Sequence, residues 1–389
     1  MQRSGIYHFP EMKRLVWGLS HAEALAREME ISGPKAVFVL MSSTLARNAA
    51  VVDGLKSAIG SRFAGLFAGI GPHTPRSDVV RAAEEARAAG ADMILALGGG
   101  SISDAAKMVG LCLANDIHAP AELEAFAAII NTDGSYTRPP MRPLTISLVM
   151  IPTTLSAGEF TMSAACTDTM RGLKQDFGHA SMLATTVIFD PGLTRLTPEW
   201  LFLSTGVRAI DHAVEDICSI NTTPFSDGSS LHALRLLAAG LPRVKADPQD
   251  IDARLDCQIA AWMSLIGMQA GVEKGASHAI SHALGAVGVS HGHTSCVLLA
   301  PVLRFNIEAT QQRQQMIAEA LGRPDRPPAE TLEKLIASLG LPIRLRDAGM
   351  DYDRMDDVAE NAMRDKWIYT NPRRIEDAAQ VREILEAAW

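Results

Sequence analysis

No uninterrupted apolar run in the 389-residue chain approaches the ~20 residues that a membrane-spanning helix needs, which argues against a membrane partner. No C-x-x-C pair is present either. Cys112, Cys166, Cys218, Cys257 and Cys296 are odd in number and widely spaced, so reduced thiols in apolar surroundings are expected rather than a disulfide framework. Blocks of one charge are missing as well. Lys and Arg number 36 against 44 Asp and Glu, interspersed for a formal charge of −8, so there is no basic face to hold nucleic acid or anionic lipid. The first residues, MQRSGIYHFP, lack a basic stretch followed by an apolar core, and the expected location is cytoplasmic. Internal repeats and low-complexity tracts are also absent.

What remains is the mixture of a folded enzyme, with 47% hydrophobic and 21% charged residues. The length exceeds one core of usual size and predicts two domains. From Pro34 to about Pro191 short apolar runs alternate with amphipathic stretches. Ala36–Met41, Phe63–Ala68, Met93–Leu97 and Leu144–Ile151 read as strands, and Leu45–Ile59 and Ser77–Ala89 as helices. Asn131–Pro143, polar with glycine and three prolines, reads as a loop. Such alternation implies a parallel sheet with helices on its faces and ligands at the carboxyl ends of the strands. After Pro191 the periodicity is helical, and Thr197-Pro198-Glu199 marks a helix start with Pro198 at its first position. The fold class is therefore α/β, with a parallel-sheet dinucleotide-binding domain over residues 1–191 followed by an all-α catalytic domain over 192–389.

Within the first part, Ile94-Leu-Ala-Leu-Gly98-Gly99-Gly100-Ser101-Ile-Ser-Asp104-Ala-Ala-Lys107 is an apolar strand that breaks into glycines and then opens a helix. Glycines let backbone amides approach an anion, and a helix start supplies unpaired N–H groups, so the run suits a pyrophosphate. A tight strand-to-helix turn would look the same, and the G-x-G-x-x-G spacing is not present. A second stretch, Ile151-Pro152-Thr153-Thr154-Leu155-Ser156-Ala157-Gly158-Glu159, also follows a buried strand. Its hydroxyls suit a phosphate or a nicotinamide amide, or simply satisfy a turn.

The second part carries Arg208, Asp211, His212 and Glu215 in one helical run, then Ser277-His278 and His282, then Ser290-His291-Gly292-His293. His278 and His282 are four apart and share a helix face, and the glycine-rich stretch after Gly285 can turn His291 back towards them. Converging imidazoles suit a divalent metal or proton transfer, whereas each taken singly fits a helix histidine with a local partner.

Together, the GGGS-x-x-D-x-x-K loop and the Ser/Thr/Gly-rich P-T-T segment resemble the iron-containing alcohol dehydrogenase superfamily over nearly the whole chain. The resemblance implies NAD(P)H as cofactor, with Gly98, Gly99, Gly100 and Ser101 on its diphosphate and Asp104 at the nicotinamide end. Thr153 and Thr154 would contact the cofactor, and Lys174 would lie near the adenosine side. At the end of the second strand Met41-Ser42-Ser43-Thr44 offers no carboxylate to a ribose, so Ser42 leaves NADPH tolerated and the preference open. Several details resemble the maleylacetate reductase branch: Phe67-Ala-Gly-Ile-Gly-Pro-His73-Thr74-Pro75, the run Thr153–Glu159, and Asn371-Pro372-Arg373 with the tail Ala387-Ala388-Trp389. Asp104 departs from that branch, which usually lacks an acidic residue there.

Metal-dependent members bind Fe or Zn through three histidines and an aspartate, and the matching histidines are His212, His278 and His291. Where the aspartate belongs, four residues before His212, this chain has Arg208, which cannot coordinate a cation. The loop before His291 is also one residue shorter than in the metal enzymes. The expectation is a degenerate metal site in which Arg208 acts as electrophile on a small, carboxylated, maleylacetate-like oxo substrate and His278 or His282 supplies the proton. Alternatives are a metal-dependent alcohol dehydrogenase, a dehydroquinate synthase-type lyase, and a nucleotide-binding protein without turnover. The resemblance also carries the expectation of a homodimer.

Overall fold

The computed structural model describes residues 11–130 and 136–389, and the chain separates in sequence at Thr197 and Pro198 into two compact units. The expected loop Asn131–Pro143 lies partly outside the described residues.

The first unit is built on β1 (Arg14–Trp17), β2 (Val37–Met41), β3 (Phe63–Phe67), β4 (Met93–Gly98) and β5 (Ser147–Pro152). An antiparallel hairpin follows, β6 (Ser163–Asp168) with β7 (Leu173–Gly178), and then β8 (Thr186–Phe189). Six of these form one parallel sheet in the order β1-β8-β5-β4-β2-β3. β2 and β4 are buried along their whole length, which is why their sequences run apolar without alternation: helices cover both faces. On one face Val37, Val39, Met41, Leu95, Leu97 and Val149 pack with Ala24, Leu25 and Met29 of helix His21–Ser32 and with Val51, Leu55 and Ile59 of helix Ala49–Ile59. On the other, helix Gly100–Asn115 packs against β4 and β5.

After β2 the chain passes to β3 on one side, and after β4 to β5 on the other. The carboxyl ends of β2 and β4 therefore flank the reversal point where such sheets bind ligands, and Ser42 and Gly98 stand there.

Two local readings are corrected, and one element had gone unread. The stretch Leu45–Ile59 is two helices, Ser43–Ala46 and Ala49–Ile59, because Asn48 turns its side chain to accept from the Val51 N–H and starts a new helix. The strand expected over Leu144–Ile151 begins at Ser147. The hairpin of β6 and β7 carried no strong alternation; its turn is closed by Asp168 Oδ1, which accepts from the N–H groups of Met170 and Arg171, and by Gly172 at φ 64°.

The second unit contains only helices among its described residues, and no helix among the described residues of the chain is long and apolar enough to cross a membrane. Its centre is helix Glu199–Cys218, buried continuously from Phe202 to Cys218. Pro198 precedes the first helical residue rather than occupying it. A helix buried all round takes its polar residues inside with it, so Arg208, Asp211, His212, Glu215 and Asp216 must find partners in the interior. Ala276–Ala286 and His291–Phe305 pack on each other through Ala279, Ile280, Leu284, Val297 and Leu298.

In the first unit, Glu28 ties the outermost strand to its neighbours. Its buried carboxylate accepts from Arg14 of β1 at 2.6 and 3.0 Å, from Thr186 of β8 at 3.2 Å, and from Ser32. Burial alone would raise its pKa, but these donors hold it below the ordinary value. A depressed carboxylate stabilises the fold above its unfolded pKa, and that stability fades as pH falls through the folded one. Replacing Glu28 by Ala is expected to cost about 2 kcal/mol by leaving Thr186 Oγ1 without its acceptor and Arg14 with only Ser32 Oγ, read as a lower urea midpoint with an unchanged slope. An unchanged midpoint would show that the sheet edge does not depend on this carboxylate.

Candidate active site

In the first unit the two loops singled out in the sequence lie together. A Cβ on Gly98 would stand 2.7 Å from Ile102 Cγ1 and 3.4 Å from Ser42 Cβ, one on Gly99 3.0 Å from Thr154 Cγ2, and one on Gly100 3.2 Å from Ser156 Oγ. Gly98 is therefore required by the packing of Ile102, and a side chain at Gly99 or Gly100 would push against Thr154 or Ser156. Thr153 is buried, and its N–H donates to the Gly98 carbonyl at 2.9 Å. Thr154 Oγ1 and Ser156 Oγ are 3.2 Å apart. No side chain caps the start of the 16-residue helix Gly100–Asn115, so its first N–H groups and dipole end remain for an anion. A loop without Cβ atoms at an uncapped helix start fits a diphosphate. Ser42 Oγ accepts from the Leu45 N–H at 3.4 Å and caps its own short helix. Ser101 enters through its carbonyl, which accepts from Thr74 Oγ1 at 3.1 Å.

Two residues beside this cradle were given no role from sequence. Lys107 is fully buried, and its ammonium donates to the carbonyls of Gly158, Thr161 and Ser163 at 2.6, 2.7 and 2.8 Å and to Thr161 Oγ1 at 2.8 Å. It lies three residues after Asp104, one helical turn on, which was the available signal. Burial brings Lys107 down to about 8, opposed by Asp104 and Glu159. Glu159 is itself buried and pushed up to about 7. Asp104 is raised by burial, with Lys107 and Lys174 pulling the other way. Lys174 is exposed on β7, and its charge acts on Asp104.

In the second unit, Arg208 is buried, and its Nη1 makes all the hydrogen bonds the guanidinium has among the described residues: to Ser295 Oγ at 3.0 Å, Ser281 Oγ at 3.3 Å and Asp211 Oδ2 at 3.3 Å. Asp211 Oδ2 also accepts from Ser295 Oγ at 2.7 Å and Ser277 Oγ at 2.9 Å, and its other oxygen has no partner. Burial raises Asp211, and Arg208, Ser295 and Ser277 oppose that rise. Ser277 and Ser281 are one turn apart on the face of Ala276–Ala286 that meets Arg208, a spacing legible only once Arg208 is known to point inward.

His278 Nδ1 is hydrogen-bonded to Glu215 Oε2, and Glu215 Oε1 accepts from the Ser277 N–H at 2.9 Å. His278 Nε2 and His212 Nδ1 are buried without partners. The two rings are 5.0 Å apart, and both are pushed well below the ordinary imidazole value by burial and by Arg208. Glu215 is raised by burial and by Asp211. His282 stands apart from this pair: it is exposed, bonded to Asp365 Oδ2 at 2.7 Å, stacked on His291 at 6.3 Å and next to Trp367 at 5.4 Å. Behind the cluster Lys274 and Asp216 form a fully buried ion pair, with Lys274 also donating to the His212 carbonyl at 3.0 Å.

A divalent ion needs uncommitted lone pairs. Among the described residues, the one trio of ligand-type atoms within 4.8 Å of each other is Asp211, Glu215 and His278, not the three histidines. In that trio Asp211 Oδ2 already accepts from Arg208 and two serines, and His278 Nδ1 is bound to Glu215. Arg208, a buried guanidinium, stands at the sequence position where the resemblance puts the aspartate. The residues present do not fit a three-histidine, one-aspartate metal set.

The sequence matches the family described as iron-containing alcohol dehydrogenase over residues 12–191, and that described as Fe-containing alcohol dehydrogenase family, C-terminal, over residues 202–389. It is 34% identical over 374 residues to the dehydrogenase ALT3 of Alternaria alternata, covering 87% of this chain and 95% of that protein. It is 31% identical over 378 residues to the maleylacetate reductase of Burkholderia cepacia, covering 97% and 95%. The maleylacetate reductase structure from Rhizobium sp. strain MTP-10005 superposes with a TM-score of 0.82 at 26% identity, covering 100% of this chain and 99% of that one. The chain is therefore an oxidoreductase of the iron-containing alcohol dehydrogenase superfamily, in its maleylacetate reductase-like branch.

Proposed function

We propose that the protein is an NAD(P)H-dependent reductase of a small, carboxylated oxo substrate, working through Arg208 in place of a metal ion. The observation that carries this reading is the way Arg208 is held. Its Nη1 is pinned by Asp211, Ser281 and Ser295, which leaves Nη2 and Nε without protein acceptors among the described residues. Those two atoms form the edge of a guanidinium that grips a carboxylate or a polarised oxo group with paired N–H donors. Fixed before the substrate arrives, they meet the charge that grows on the substrate oxygen without having to reorganise. NAD(P)H, for which the glycine loop, Thr153 and Thr154 with Asp104 and Lys174 offer a fitting site, would supply the hydride.

The oxygen that receives that charge also needs a proton. His278 is the better of the two expected donors, because it is buried beside Arg208's partners, whereas His282 is exposed and engaged with Asp365. Burial favours the neutral form of both Glu215 and His278, so the pair holds a carboxylic acid against Nδ1 and an N–H at Nε2. Nε2 gives its proton to the substrate oxygen, and Glu215 passes its own to Nδ1. The histidine ends neutral, the carboxylate ends ionised against the Nδ1 N–H, and no imidazolium forms beside Arg208.

Replacing Arg208 by Lys keeps the charge and removes the fork. It is expected to lower kcat/KM for maleylacetate with NADH by roughly 10²–10³-fold. An unchanged kcat/KM would reduce Arg208 to a packing residue. Glu215→Gln should depress kcat by roughly 10²-fold with little change in KM, since a carboxamide can hold the ring but cannot pass a proton; wild-type turnover in this variant would remove Glu215 from the relay. Incubation with EDTA is expected to leave reduction of the oxo acid intact, measured alongside bound Fe and Zn by elemental analysis. Loss of turnover together with stoichiometric metal would replace this reading with a metal-dependent alcohol dehydrogenase.

A further inference from the structure

Glu159 is the one buried carboxyl of the first unit that neither the fold nor the reaction uses. It follows Ala157, a non-glycine residue held at φ 59°, and sits in the short turn Gly158–Phe160. Three residues before it, Ser156 touches Gly100, and five before it Thr154 touches Gly99. The segment is anchored on both sides of Glu159 by Lys107, through the Gly158 carbonyl and through Thr161. Its side chain is 2% exposed, and Oε2 is enclosed with no hydrogen-bond partner. A buried carboxylate oxygen without a donor is costly, whereas a carboxylic acid there is tolerated. The charged groups acting on it are Lys107 and Asp104, both in the first two turns of helix Gly100–Asn115; Lys174 and Asp176 of the hairpin act in turn on Asp104, and Asp176 on Lys107.

We propose that Glu159 is a proton-holding positioning residue beneath the glycine cradle: neutral, it lets the loops accept the cofactor's diphosphate, and ionised, it opposes that anion and competes for Lys107. The inference rests on the reading that these loops hold NAD(P)H. Ionisation puts a negative charge under a site for a negative ligand, in a medium too poor in water to screen it. It also offers the Lys107 ammonium a carboxylate in place of the carbonyls that fix the Thr153–Thr161 segment. Cofactor binding and proton uptake at Glu159 are therefore coupled with the same sign, and affinity declines as pH rises through the titration of Glu159, which burial pushes up to about 7.

The test is the dissociation constant of NADH by titration calorimetry on the wild-type protein and on Glu159→Gln, from about pH 6 to about pH 8.5. The expected result is an affinity that weakens about tenfold across that range in the wild type and stays flat in the variant. Thermal melting of both proteins without cofactor gives a second reading. A carboxyl raised from 4.5 to about 7 on folding is ionised only in the unfolded chain between those values, so the wild type should lose stability relative to the variant as pH rises through that window and level off above it. Equal pH dependence of NADH affinity in the two proteins overturns the proposal, as does a melting difference that does not change with pH. If neither protein binds NADH at any pH, the cofactor reading itself fails, and the coupling fails with it.

Discussion

A guanidinium carried into a protein interior must be given acceptors, and the second unit is organised around meeting that requirement for Arg208. Helix Glu199–Cys218 is buried from Phe202 to Cys218, so Arg208 must find its acceptors mainly in the interior. Asp211, one turn further along, supplies a countercharge; as a buried carboxylate it requires donors of its own, and Ser277 and Ser295 provide them from two other helices. Ser281 and Ser295 then fix the guanidinium itself. Three helices are thereby bound to one charge through small hydroxyl side chains that could not reach it from any other register. The same carboxylate that stabilises Arg208 also raises Glu215, which in turn keeps His278 oriented. Anchoring of Arg208 and the raised pKa of Glu215 thus share one origin in Asp211.

Under the proposed function, a change of one ligand residue in a metal-binding scaffold need not abolish reduction. An ion and a guanidinium both place positive charge against a substrate oxygen, but they select differently. A metal ion accepts any lone pair that completes its shell, whereas a planar fork is satisfied best by two oxygens in one plane. Under the proposed function, the replacement would narrow the preference towards carboxylates and oxo acids without altering the direction of the hydride chemistry. Asp211, which helps to anchor the guanidinium, would in a metallated site be a competing ligand; here its Oδ2 lone pairs are spent on Arg208 and the serines.

Much of this was legible in the sequence, for identifiable reasons. The buried strands Val37–Met41 and Met93–Gly98 declare themselves as unbroken apolar runs, and the glycine loop follows directly from the second of them. The glycine and Thr/Ser loops stood out because small residues at a strand end have few other uses, and the structure brings them together. The break at Asn48 was missed because a capping side chain competes with a helical pattern that is otherwise continuous. The partners of Arg208 were missed for a different reason: serines at helical spacing are common, and only three-dimensional packing shows that Ser281 and Ser295 point at a charge. His282 was overvalued because spacing of four places it on the face of His278 but says nothing about depth, and one turn of helix is enough to bring it to the surface beside Asp365.

The two units use buried ionisable groups in opposite ways. In the helical unit Lys274 is paired with Asp216 and Arg208 with Asp211, so these two buried cations are each answered by a carboxylate within hydrogen-bonding distance. In the sheet unit Lys107 is satisfied by carbonyls, which carry no charge to answer its own, and the nearby carboxyl of Glu159 keeps an oxygen without any donor. A charge held by neutral dipoles next to an unused acid is a system with a proton still to place. Such a system responds to the arrival of an anion, whereas a closed ion pair does not.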